Sequence, residues 1–491
     1  MRVLSELEPA DVFYYFEEIS RIPHGSYHEK EISDYLVHFA KEHDLEVWQD
    51  ELYNVVMKVP GSDGRQQEEP LILQGHMDMV CEKRSETAID MEQEGLTLYQ
   101  DGDYVCAKDT TLGGDDGIAL AYMLAIATDR KLSHPPLEYI ITVSEEVGME
   151  GASGIDLAML KGKCMLNLDS EEEGIFLASC AGGISTLSTL PVAWAKSPEI
   201  LWYELSVTGL VGGHSGCEID KGRANAVRVL GRVLYEMKKR VPFSIYAMEG
   251  GKKDNAIPTE AKAVLGMEEQ EISSAECMIA EMEDVLRAEY AKSDAGITLE
   301  WKQYTEEGES EEDNRQSRLV LDYECLDKVI TMLMALPDGV QGMSMAVPGL
   351  VETSLNLGIM KLNQEHLFLQ HSIRSSAATR KEEVVSRVES LVCALGGSLE
   401  RKGDYPAWEY KEESVIRPKL IALYEKMYGK EPVVQGIHAG LECGLLAGKI
   451  KGLDCVSMGP DILDIHTTEE RLSISSTKRV YEFLKAFLEQ R

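Results

Sequence analysis

The sequence predicts an α/β three-layer sandwich with a mainly parallel sheet, interrupted by an inserted α+β domain. Three observations carry this. Short, continuous apolar runs alternate with helical patterns up to about residue 183, as layered β/α folds require. From 184 to about 404 the strand candidates alternate polar with apolar residues, and after 405 the first texture returns. One domain formed by 1–183 and 405–491, split by an insertion at 184–404, accounts for that return better than three separate beads.

Residues 9–45 read as two helices, PADVFYYFEEISRI and EKEISDYLVHFAKEH, because apolar residues recur at spacings of three and four; PHGS breaks them. PLILQG (70–75), LEYIITVS (137–144) and CMLNL (164–168) are uninterrupted apolar runs, as strands buried on both faces of a parallel sheet are. Between the first two lies DDGIALAYMLAIATDR (115–130), an apolar helix opening on two acids. In the insertion, ILWYELSVTGL (200–210) and HLFLQHSIRSS (366–376) read as strands, and 223–240 and 273–292 as amphipathic helices. VIRPKLIALYEKMYG then gives a late helix and LDCVSMG (453–459) a late strand.

Composition narrows the function. The 491 residues are 44% hydrophobic and 27% charged, an ordinary globular balance. With 49 Lys+Arg against 85 Asp+Glu, the formal charge of -36 repels nucleic acid and anionic membrane surfaces. Residues 184–404 carry 24 basic and 35 acidic side chains, a net of -11, which leaves -25 on the rest. EEGESEED (306–313) is expected to be a solvated loop without function. The first residues lack a positively charged flank and apolar stretch, and no run approaches the roughly 18 apolar residues of a membrane span. Ten scattered cysteines without a C-x-x-C pair suggest reduced thiols and a cytoplasmic protein. A metal site in this chain must therefore use His, Asp and Glu.

The strand ends supply such residues. PLILQG runs into His76-Met77-Asp78, LEYIITVS into Glu145-Glu146, CMLNL into Asp169, and LDCVSMG is followed by His466; Asp115 opens the apolar helix. Ligands of open α/β sheets bind at the carboxyl ends of the strands. Carboxylates gathered so closely repel one another, and a pair of divalent cations, most readily zinc, with manganese or cobalt as alternatives, resolves the conflict. Singly, each element has a plainer explanation: a buried His satisfied by Asp, a solvated Glu pair, an Asp N-cap. Their joint placement favours a metal centre.

The motifs GHMDMV, TTLGGDDGIALA, SEEVGMEGA, NLDSEE, GGHSG, KDNAIP, GIHAGLECGLL and IHTTEE occur in this order. In that order and spacing the chain resembles the cytosolic non-specific, or aminoacyl-histidine, dipeptidases of the two-zinc exopeptidases, over nearly its whole length. The resemblance implies that His76 and Asp169 hold one zinc, Glu146 and His466 the other, and that Asp115 bridges them, with GGDDG leaving Asp116 as an alternative bridge. It also implies a cis peptide after the bridging Asp, with Asp78 orienting His76 and Glu145 acting as general base. Water acidified by the ions would lose its proton to Glu145 and attack the peptide carbonyl. His214 of GGHSG would stabilise the oxyanion, in its own or a neighbouring subunit, and Arg374 and Asn255 would grip the substrate. His438 and Glu442 line the pocket in an undetermined role. The implied protein is a cytoplasmic homodimer acting on unblocked dipeptides, Xaa-His and broader, with the insertion as lid and dimerisation domain. The competing readings are an N-acyl amino acid deacylase with the same metals and a non-catalytic metal-binding homologue.

Overall fold

A computed structural model describes residues 2–306 and 314–490; all of the acidic segment but Glu306 lies outside the described residues. The chain divides into two compact units, one of Met1–Cys180, Trp408–Gly436 and Leu441–Arg491, the other of Ala181–Ala407 and Ile437–Gly440.

The first unit is built on an eight-stranded sheet in the order Glu46–Gln49, Val55–Val59, Leu137–Thr142, Leu71–His76, Cys164–Asn167, Asp454–Ser457, Ile175–Cys180, Val433–Ile437. The four strands from Leu137–Thr142 to Asp454–Ser457 are parallel. Every residue of Leu71–His76 and Leu137–Thr142 is buried, as their uninterrupted apolar sequences predict. Antiparallel strands flank this centre, so the sheet is mixed. On one side the cause is local: residues 50–54 are too few for a crossover and can only turn the chain back, with Asp50 Oδ1 accepting the Leu52 and Asn54 amides at 2.9 Å each.

Alternation within the central strands makes three layers. Leu71, Leu73, Tyr139, Ile141, Leu166 and Val456 join one core with the helices Ala10–Ile19, Lys30–Glu42, Gly114–Thr128, Ile416–Tyr428 and Ile474–Leu488. Ile72, Ile140, Met165 and Cys455 are equally buried on the opposite face, where Cys443 of the helix Glu442–Lys449 lies 3.5 Å from Cys455, sulfur to sulfur. Gly114–Thr128 is buried on all sides from Gly114 to Ile126, which explains its lack of a polar stripe. A smaller four-stranded sheet, Ile462–Leu463, Arg471–Ser473, Tyr104–Ala107 and Leu98–Asp101, was not foreseen. It frames the loop 464–470 that carries His466.

The second unit has a nine-stranded antiparallel sheet that includes Gly182–Pro191, Leu201–Thr208, Val351–Leu362 and His366–Ser375. The helices Ala226–Lys238, Glu269–Glu289, Tyr323–Ala335 and Ala378–Ala394 share its core. Ala226–Lys238 starts later than the 223–240 pattern because Asn225 is its N-cap, accepting the Val227 and Arg228 amides.

Candidate metal centre

The parallel strands of the first unit deliver four acidic or imidazole side chains to their carboxyl ends. His76 is the last residue of its strand. After Leu137–Thr142 the chain turns at Ser144, whose φ is +52°; buried Glu29 holds that turn by accepting the Ser144 amide at 2.9 Å and hydroxyl at 2.8 Å. Glu145 and Glu146 follow. Asp169 lies just beyond Cys164–Asn167, and His466, with φ +60°, sits on the loop 464–470. Asp115 and Asp116 are not helical although Gly114–Thr128 is continuous around them, and the peptide between them is cis.

Asp115 touches both imidazoles. Its Oδ1 is 3.1 Å from His76 Nε2 and its Oδ2 3.4 Å from His466 Nε2. Each imidazole has a second carboxylate of its own: Asp169 Oδ1 lies 3.4 Å from His76 Nε2, and Glu146 Oε1 lies 2.9 Å from His466 Nε2. Asp115, Glu146 and His466 form one group whose donor atoms lie within 4.8 Å of one another. Around His76, such groups contain Asp116 with Asp169, or Glu145 with Glu146. Asp116 is otherwise engaged: its Oδ2 accepts the His76 amide at 3.2 Å, pressed so closely under Gly75 that a side chain there would collide with it. Contact with both histidines therefore favours Asp115 over Asp116 as the shared carboxylate.

The electrostatics test whether cations fit. Burial alone would keep His76 neutral, but Asp169, Asp115 and Asp78 raise it well above the ordinary imidazole value. Hydrogen bonds donated to Asp115 and Glu146 push His466 up to about 10. Burial works to raise Asp115, but the two imidazoles overcome it and hold the carboxyl low. Asp169 and Glu171 go the other way. Burial, partly offset by His76 and reinforced by Asp115 and Glu146, pushes Asp169 up to about 6. Burial and the charges of Asp115 and Asp169 push Glu171 up to about 8. A cluster that must take up protons to relieve its own charge, built from hard oxygen and imidazole donors, fits divalent cations.

Asp78 faces His76 and reaches further. His76 Nδ1 lies 3.0 Å from the Asp78 carbonyl and 3.4 Å from its carboxylate. The carboxylate also accepts the amides of Glu145 (3.0 Å) and Glu146 (3.3 Å) and the hydroxyl of Ser26 (2.8 Å), so it contacts the backbone of both glutamates as well as His76. Ser26 comes from the PHGS break. Burial, countered by His76 and reinforced by Asp169, Glu442 and Glu146, holds the Glu145 carboxyl well above the usual range.

Three further carboxylates belong to this surrounding: Glu171, Glu470 and Glu442. Glu442 has no exposed surface; its Oε2 accepts Gln74 Nε2 and Thr142 Oγ1, each at 2.6 Å. Those two bonds tie it to the strands Leu71–His76 and Leu137–Thr142, and burial pushes it up to about 7.

The second unit gathers a separate polar group. The strand Gly213–His214 pairs with Ala256–Ile257, and the Ser215 amide donates to the Asn255 carbonyl at 2.9 Å. A cavity of about 890 Å³ is lined by His214 and Asn255 among others, within the size range of ligand sites. His214 Nδ1 accepts the Gly216 and Cys217 amides at 3.2 and 3.1 Å, which leaves Nε2 as the protonated, donating nitrogen. Burial and the Arg374 charge lower its pKa. Arg374 donates to the Tyr405 hydroxyl at 3.0 Å, while its Nε has no hydrogen-bond partner among the described residues. His438, whose Nε2 is 2.7 Å from Ser354 Oγ, is pushed down to about 4 by burial, Arg374 and His214.

Comparison with known proteins adds further findings. The family described as the peptidase dimerisation domain matches residues 205–294. The cytosol non-specific dipeptidase of Escherichia coli is 34% identical over 491 residues, 100% of this chain and 99% of that one. The crystal structure of the aminoacylhistidine dipeptidase from Vibrio alginolyticus matches with a TM-score of 0.92 at 33% identity, covering 99% of this chain and 97% of that chain. An aminopeptidase from Bacillus cereus matches with a TM-score of 0.55 at 16% identity, covering 98% of each chain, a likeness of fold alone. Among the described residues, no helix is long and apolar enough to cross a membrane.

Proposed function

Because the chain belongs to the cytosol non-specific dipeptidases, we propose that it cleaves the peptide bond of unblocked dipeptides, Xaa-His and broader, with Glu145 as general base. It is a metallopeptidase. The observation that carries the site assignment is Asp115 contacting both His76 and His466, each of which has its own second carboxylate.

In this reading His76 and Asp169 would hold one divalent ion, Glu146 and His466 the other, and Asp115 would be shared; the imidazole and carboxylate donors suit zinc first, then manganese or cobalt. Bound there, the ions would supply a Lewis acid for the scissile carbonyl and an acidified water. Glu145 accepts a proton from the attacking water and returns it to the leaving amine. Asp78 holds the Glu145 and Glu146 backbone in register for this transfer. His214 presents Nε2–H to the developing oxyanion, Arg374 pairs with the terminal carboxylate, and Asn255 bonds to the substrate backbone. The family match to a dimerisation domain supports a homodimer. Ten free cysteines and the name of the Escherichia coli relative support a cytoplasmic location.

The test is hydrolysis of a panel of dipeptides, tripeptides and N-acetyl amino acids by one preparation whose metal content is measured. Cleavage of dipeptides with about two ions per chain is expected. Activity on N-acetyl amino acids but not on dipeptides would overturn the reading in favour of a deacylase.

A further inference from the structure

Among the buried carboxylates with no part in the proposed chemistry, Glu470 makes the most directed contacts. It is 4% exposed and ends the loop 464–470 that carries His466. Its Oε2 accepts the backbone N–H groups of Leu112 (2.8 Å) and Gly113 (3.2 Å), and its Oε1 those of Gly114 (2.8 Å) and Asp115 (3.4 Å). Four successive amides thus converge on one carboxylate. Gly113 has φ +68°, a left-handed turn that aims its neighbours' N–H groups the same way. At the other end, the Glu470 amide is tied to the Thr467 carbonyl at 3.2 Å, within the same loop as His466.

From this geometry we propose that Glu470 is a positioning residue of the metal centre: it clamps the segment 112–115 to the loop 464–470 and so fixes Asp115 relative to His466. The inference rests on the reading of those two residues as ligands. Charge-assisted hydrogen bonds are about twice as strong as neutral ones, and four of them hold a segment whose backbone leaves the helical conformation at Asp115. Gln at this position keeps the shape but replaces one accepting oxygen by an NH2 group facing amide donors. The adjacent Glu469 is a natural control, since its carboxylate is exposed and pairs with exposed Arg84.

The experiment uses the full-length enzyme, stripped with a chelator, with zinc affinity measured by competition against a chromophoric chelator. Glu470→Gln is expected to bind zinc about 10–100-fold more weakly, with KM for a dipeptide unchanged and kcat largely restored by excess zinc; Glu469→Gln should match the parent. A merely structural role would instead lower the unfolding temperature of the metal-free protein and leave zinc affinity of the folded fraction alone. Unaltered affinity in Glu470→Gln overturns the inference by itself, whereas a parent enzyme that takes up no zinc overturns the metal-centre reading on which it stands. Should the variant not fold, amide exchange in the metal-free parent decides: protected amides at 112–115 support the clamp and freely exchanging ones overturn it.

Discussion

Asp115 is the residue on which the two halves of the centre meet, because no other described carboxylate contacts both imidazoles. Asp115→Asn is therefore expected to lower the content of both ions, and His466→Ala of one, as metal analysis of the purified variants will show. Glu145→Gln should reduce turnover by about 10²–10⁴-fold with metal content intact; a variant as active as the parent would remove Glu145 from the chemistry. The titrating groups also predict how the metal-free protein responds to pH. Burial raises Glu442 from 4.5 to about 7, so the folded chain holds an extra proton in that window and loses stability as pH rises through it. His466, raised from 6.5 to about 10 by Asp115 and Glu146, contributes stability below 6.5 that disappears on the way to 10. Both act in one direction. The unfolding temperature of chelator-treated protein should fall as pH rises from about 5 to 10, and zinc should flatten that slope.

At the level of elements, the sites that sequence reasoning located are those where an apolar strand ends in a polar side chain. His76, Glu146 and Asp169 follow runs whose burial on both faces is written in their composition. His466 was placed only as a residue some way past the LDCVSMG strand, and its motif carried the rest, because it sits on a loop between two very short strands, Ile462–Leu463 and Arg471–Ser473, with no periodicity to read. Glu470 escaped notice, and the role of Glu442 stayed open, for another reason: their partners are backbone amides or uncharged side chains hundreds of positions away, which leave no complementary charge in the sequence. Helix ends were displaced wherever a cap overrode the apolar pattern, as at Asn225. That cap also donates to the Leu357 carbonyl at 2.9 Å, so Asn225→Ala should cost about 1–2 kcal/mol, measured by chemical denaturation.

Across the whole molecule, the proposed catalytic and substrate-binding residues belong to different units, so the proposal predicts that mutants separate the two roles. Arg374→Ala should raise KM for dipeptides by about 10–100-fold, the loss of a charge-assisted bond of roughly 1.5–3 kcal/mol, while metal content stays at the parental value; coupled loss of metal would argue against the assignment. The formal charge of -36 resides mostly outside residues 184–404, on the part that carries the proposed ligands. The partition also has a topological side. Because Ile437–Gly440 belongs with Ala181–Ala407, the backbone passes between the units four times rather than twice. Splicing Cys180 directly to Trp408 would strand a tetrapeptide and with it the Ser354–His438 contact, and the excised insertion would lack the same piece. The insertion is thus stitched in rather than merely spliced in, and only a two-fragment complementation, or a permuted gene that returns this tetrapeptide to it, should yield it whole.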